Sequence, residues 1–151
     1  MTSKDTTTDV QIDPRGYRFG AAVTLVLSVG AVVLGVSWPG IVLMFLLAVL
    51  FLPGATVGPQ ATLQALVFKK AIRPRLGKPT ETESFRPPRF AQQMGLGFSI
   101  LAIVLGVWGP AWGYFLFAGF VAVASFLNSV FGFCLGCEIY LVAKRATTRS
   151  A

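Results

Sequence analysis

Two long apolar blocks dominate the pattern of the chain. No Asp, Glu, Lys or Arg occurs between Phe19 and Phe68, and none between Phe90 and Cys137. Each block runs for about 50 residues, whereas one membrane-crossing helix needs about 20. Each block therefore predicts a helical hairpin. Pro39 in "SWPG" and Pro110 in "WGPAW" mark the turns, because proline lacks the N–H that a helix interior requires. First helices are expected over residues 19–36 and 90–107, and second helices from about residues 40 and 111.

The hairpins read as two copies of one unit. Arg18-Phe19 recurs as Arg89-Phe90, an offset of 71 residues. At that offset Leu25 matches Leu96, Ser28 matches Ser99, Ala31 matches Ala102 and Pro39 matches Pro110. Leu34-Gly35-Val36 likewise matches Leu105-Gly106-Val107. Shared apolar composition is the competing explanation. The expected fold is an all-α membrane protein with four transmembrane helices, arranged as two tandem parallel hairpins. Repeat one covers residues 18–70 and repeat two residues 89–146, joined by a loop at 71–88. Residues 1–17 are expected as a disordered polar tail, with no apolar core of a signal peptide, and 147–151 as a second tail.

The second helix of each copy is overlong. Pro39–Lys70 and Ala111–Val142 each hold 32 residues. As one helix that is about 48 Å, against a hydrocarbon core of about 30 Å. "LPGATVGP" at 52–59 and "NSVFG" at 128–132 are placed to kink or break it.

Charge orients the bundle. The chain carries 13 Lys and Arg against 6 Asp and Glu, a net +7. All the cations lie before the first helix, in the central loop or at the C-terminus, which four spans put on one face. The positive-inside rule makes that face cytoplasmic, and with it both termini. Trp38, Trp108 and Trp112 sit at the two turns, as expected for a headgroup level on the opposite face. The basic loop matches no nucleic-acid-binding module, so no nucleic-acid partner is expected. A bacterial inner membrane and its lipid bilayer are the expected setting.

The chemistry is concentrated in "FGFCLGCEIY", residues 131–140. Cys134 and Cys137 are the only cysteines, and the chain has no histidine. Structural zinc wants four ligands and an iron–sulfur cluster four cysteines, so neither a metal nor a cofactor is expected. A dithiol/disulfide pair remains, as do two small buried hydrophobes. Residues i and i+3 on a helix lie about 5–6 Å apart, so a disulfide forms most easily at a helix start. Gly132 and Gly136 flank Cys134 and allow a backbone to approach closely. Glu138 is the only acidic residue beyond the N-terminal tail and central loop. It is a candidate proton acceptor for a thiol, or a snorkelling surface group facing Lys144 and Arg145. Asn128 is expected to hydrogen-bond between helices.

"DPRGYRFGAAVT" at 13–24, "RPPRFAQ" at 86–92 and "LNSVFGFCLGCEIY" at 127–140 resemble the domain-of-unknown-function 4395 family of bacterial membrane proteins. The most specific block is matched by Asn128, Gly132, Cys134, Gly136 and Cys137. The resemblance implies a small multi-span protein associated with thioredoxin-like and sulfurtransferase proteins. A thiol-disulfide or sulfur-transfer accessory is therefore expected, with Cys134, Cys137 and Glu138 at its centre. The alternative is a non-catalytic scaffold or small transporter subunit with structural cysteines. A bundle this small could line a pore only as a homo-oligomer.

Overall fold

The computed structural model describes residues 11–149 and is almost entirely helical. Helix α1 spans Pro14–Leu34, α2 Trp38–Thr56, α5 Arg86–Trp108 and α6 Ala111–Phe131. These four are long and apolar enough to cross a membrane. Between α2 and α5 lie short helices α3 (Leu63–Val67) and α4 (Arg73–Leu76), and α7 (Leu135–Arg149) closes the chain. Two-residue strands β1 (Gln11–Ile12) and β2 (Glu83–Ser84) pair antiparallel, with Gln11 opposite Ser84.

The first helix starts earlier than the charge pattern implies. Asp13 caps α1, accepting the Arg15 N–H at 3.0 Å, and Pro14 takes the first helical position. Both choices suit a helix start, where a side chain must replace missing carbonyl partners and proline's absent N–H costs nothing. The Arg15 guanidinium also hydrogen-bonds the Asp13 carboxylate and holds it below the usual carboxylate range. Residues 11–17 are thus structured, correcting the expected tail. Its first ten residues lie outside those described, as do residues 150 and 151 of the second, whose residues 147–149 belong to α7. The expected 71–88 loop likewise contains α4 and β2, and the first turn of α5.

The two overlong stretches, 39–70 and 111–142, are divided. Gly58, at φ 145°, and Pro59 interrupt the path after α2. Gly132, at φ 68° in the left-handed region, ends α6, and the chain re-enters a helix at Leu135. Glycine accepts such backbone angles without the Cβ clash other residues suffer.

The four long helices contact one another through small side chains. The buried residues of α1 are Gly16, Ala21, Thr24, Ser28 and Ala31, and those of α5 are Pro88, Ser99 and Ala102. Helix α1 packs on α6, and α2 packs on α5. The bulk comes from the other helices, with Met44, Leu47 and Phe51 on α2 and Tyr114 on α6. Large aliphatic side chains point outward, Val26 being 72% and Val33 79% exposed. That is the inverse of a water-soluble bundle and suits hydrocarbon as the solvent.

Tyr114 joins the hairpins at the end that carries the turns. Fully buried, it donates its hydroxyl to the Ala31 carbonyl oxygen at 2.9 Å. Its ring lies where a Cβ on Gly106 would stand, and its hydroxyl 3.0 Å from one on Gly40. Trp38, Trp108 and Trp112 flank this end, all well exposed. At the opposite end Arg89 donates to the Ala55 and Thr56 carbonyls, at 3.4 and 2.8 Å, and Gln93 donates to Ala55 at 3.1 Å. These side chains supply partners for carbonyls that the end of α2 leaves bare.

The Ala31 carbonyl keeps its bond from the Gly35 N–H when Tyr114 loses its hydroxyl. Tyr114→Phe should therefore cost only about 1 kcal/mol. Tyr114→Ala, which also empties a core position, should cost about 3 kcal/mol or more. Reversible unfolding in mixed micelles measures both, and equal losses would contradict this assignment.

Candidate functional site: a cysteine pair beside an apolar cavity

The site lies at the basic end, where α6 stops and α7 begins. The turn after α6 is closed by Gly132 N–H donating to the Asn128 carbonyl at 3.0 Å and Phe133 N–H donating to Leu127 at 3.1 Å. The αL residue ends α6, and α7 begins three residues later at Leu135. Arg18 rests here, its Cζ 3.4 Å from where a Gly132 Cβ would be.

Cys134 then occupies the N-cap position of α7. Its carbonyl accepts the Glu138 N–H at 3.0 Å, and its Sγ accepts the Cys137 N–H at 3.3 Å. Sulfur here fills the role that a Ser or Asp oxygen fills at other helix starts. Cys134 and Cys137 are joined by a disulfide, their Cα atoms 5.1 Å apart. The first turn of a helix is where such a span is most easily reached.

Gly136 fixes α7 against α5. A Cβ there would stand 2.7 Å from the Ala91 Cβ and 2.8 Å from its Cα, so only glycine fits without movement. The Phe90 and Tyr140 rings pack beside it at a tilt of 46°, centroids 5.8 Å apart. Beyond this contact α7 is amphipathic. Leu135, Ile139 and Val142 are exposed apolar side chains, and Lys144, Arg145 and Arg149 follow. Such a helix suits the plane of a membrane interface.

Of the residues expected at the site, Cys134, Cys137, Gly132 and Gly136 lie in or beside this turn. Glu138 is exposed on α7, and the site engages its backbone N–H. No ion pair joins its carboxylate to Lys144 or Arg145 among the described residues. Asn128 is half-buried, and its Oδ1 is buried without a hydrogen-bond partner. The interhelical bond expected of that oxygen is absent from the described residues.

Beside the pair lies a cavity of about 300 Å³. Its walls come from α1, α2, α5, α6 and α7 and are mostly apolar. Tyr17, Thr24, Gln92, Ser125, Asn128 and Cys134 are the polar and sulfur-bearing contributors. Cys134 lines this space and Cys137 does not. Sequence reasoning missed Thr24, Gln92 and Ser125. Their signal was a polar residue inside a block otherwise free of charge, which serine and threonine give too often to be informative. No three His, Cys, Asp or Glu side chains cluster as metal ligands among the described residues.

Fold and site together define an almost entirely helical protein of membrane-spanning composition, with a disulfide at the head of an amphipathic helix. The chain belongs to the family described as Domain of unknown function (DUF4395), whose profile matches residues 12–145. Neither the curated proteins nor the solved structures gave a match.

Gly136→Val should force α7 off α5 at a cost of about 1–3 kcal/mol. It should also raise the rate at which reduced Cys134 reacts with a bulky maleimide. Gly97 has open space around it, so Gly97→Ala should leave that rate unchanged. A Gly136→Val protein with unchanged stability and labelling would remove the packing role given to Gly136.

Proposed function

We propose that the protein exchanges disulfides, or passes sulfane sulfur, with a thioredoxin-like or sulfurtransferase partner at the cytoplasmic face of a bacterial inner membrane. The observation that carries this reading is the Cys134–Cys137 disulfide on the first turn of α7, at the end of the bundle that gathers the basic residues.

The exchange runs in two displacements. A partner thiolate attacks Cys137 Sγ, forming a mixed disulfide and breaking the Cys134–Cys137 bond. The bonding electron pair leaves on Cys134, whose sulfur already receives a backbone N–H. A stabilised thiolate is the better leaving group. The partner's second thiolate then attacks its own sulfur in the mixed disulfide and releases Cys137. The partner ends oxidised and the pair reduced by two electrons. Cys134 lines the cavity and Cys137 does not, so Cys137 is assigned as the sulfur that meets a protein nucleophile. In sulfur transfer the reduced Cys137 thiolate instead attacks the outer sulfur of a partner persulfide, forming a Cys137 persulfide and releasing the partner's thiolate. Glu138, one residue on, is close enough in sequence to receive the proton of the incoming thiol.

Each cysteine should be replaced by Ser and the variant combined with a thioredoxin-like protein lacking its resolving cysteine. Cys134→Ser should accumulate a dithiothreitol-sensitive complex through Cys137, and Cys137→Ser much less. Absence of a complex with both variants, at wild-type stability, would sink the reading. In spheroplasts, membrane-impermeant maleimide should reach reduced Cys137 only after the inner membrane is opened. Labelling of intact spheroplasts would reverse the orientation.

A further inference from the structure

The segment running from α3 through α4 takes no part in the thiol chemistry, yet it gathers charge. Lys69, Arg73 and Lys78, with Pro74 and Gly77, line an open hollow of about 340 Å³. No carboxylate lines it, and none of the three cations forms an ion pair among the described residues. Arg73 adds to the effect of Arg15 in holding the Asp13 carboxyl below its usual range, but that carboxylate is already paired with Arg15 at 2.9 Å. Three like charges around one space repel one another, and an anion among them turns the repulsion into attraction.

Helix α1 holds the hollow at both ends. Phe68 is buried, 3.3 Å from where a Gly16 Cβ would stand and beside the Phe19 ring. From there the backbone widens into a π-helical turn, Phe68–Ile72, and the Arg73 N–H donates to the Phe68 carbonyl. Such turns are rare and recur at functional sites. At the far end Gly77, at φ 75°, turns the chain, and its carbonyl accepts from Arg15 at 3.1 Å. Apolar side chains adjoin the cations. Leu63, Leu66 and Val67 share an exposed face of α3, and Leu76 is exposed three residues after Arg73. An apolar face edged with cations suits the boundary between hydrocarbon and headgroups.

We propose that this hollow binds the phosphate of an anionic phospholipid. Lys69, Arg73 and Lys78 surround the headgroup, and the acyl chains run along Leu63, Leu66 and Leu76. A zwitterionic lipid brings an ammonium into the same space and is disfavoured. A free phosphate ester shares the charge but gains nothing from the leucines. Binding here requires no chemistry at the cysteines.

Native mass spectrometry of the full chain, released from neutral micelles, tests this with phosphatidylglycerol, phosphatidylcholine and water-soluble glycerol 3-phosphate as probes. Phosphatidylglycerol should be retained at concentrations where the other two are not. Lys69→Gln, Arg73→Gln and Lys78→Gln together should weaken its binding on the order of a hundredfold. Lys144→Gln, Arg145→Gln and Arg149→Gln together remove the same charge from α7 and should leave it within a few-fold of wild type. A phosphatidylglycerol with a photoreactive headgroup should label residues 68–78 of the unaltered chain, a readout that needs no variant to fold. Equal retention of phosphatidylcholine, equal binding of glycerol 3-phosphate, equal losses from the two triple variants, or labelling that spares 68–78 would each overturn the proposal. None of these outcomes depends on trapping a partner at Cys137, so the two proposals fail separately.

Discussion

Everything in this bundle depends on how closely its helices approach. Hydrocarbon is as apolar as leucine, so burying leucine against leucine gains little from solvent in a membrane. What remains is dispersion between closely fitted surfaces and hydrogen bonds that lipid cannot supply. The seams of α1 and α5 are built accordingly, from glycine, alanine, serine and threonine, with proline at the head of α5. Tyr114 adds the hydrogen bond, spanning from α6 to a carbonyl of α1. It can do so because Gly40 and Gly106 leave room for its hydroxyl and ring.

The same economy of side chain sets the site. A bulkier residue at position 136 would push α7 from α5, and with it the turn that holds the disulfide. A residue with a Cβ at position 132 would strain the left-handed turn and meet Arg18. The cysteines therefore stand where they do because two glycines let the last helix fold back on the bundle. The cavity is the counterpart of this close packing. Five helices line the gap, with Phe51, Phe98 and Phe120 among its apolar residues.

Much of this was legible in the sequence. Charge-free blocks gave the four long helices, and Pro39 and Pro110 gave their turns, because both signals act locally and at helix scale. Of the pairs noticed at a constant offset, Ser28 with Ser99 and Ala31 with Ala102 are fully buried, whereas Leu25 with Leu96 and Pro39 with Pro110 are not. The start of α1 was misjudged because Asp13 and Arg15 were read as solvated charges. They are a cap and its partner, a relation set by backbone geometry. Cys134 as an N-cap was open to inference from the glycine before it. The exposed carboxylate of Glu138 was not, since a helix can turn either face of residue 138 toward its neighbours. The cavity left no periodic trace at all, because it arises from five helices meeting.

The end of α2 is finished by residues that are translated much later. Its last carbonyls receive their donors from Arg89 and Gln93, more than 30 residues further along the chain. Until α5 enters the bilayer, that turn has no protein partner and must stay near water or fray. The first hairpin is therefore incomplete on its own, and its membrane-embedded form matures only as the second arrives. Assembly acquires a direction from Arg89 and Gln93, with the later hairpin closing the earlier one.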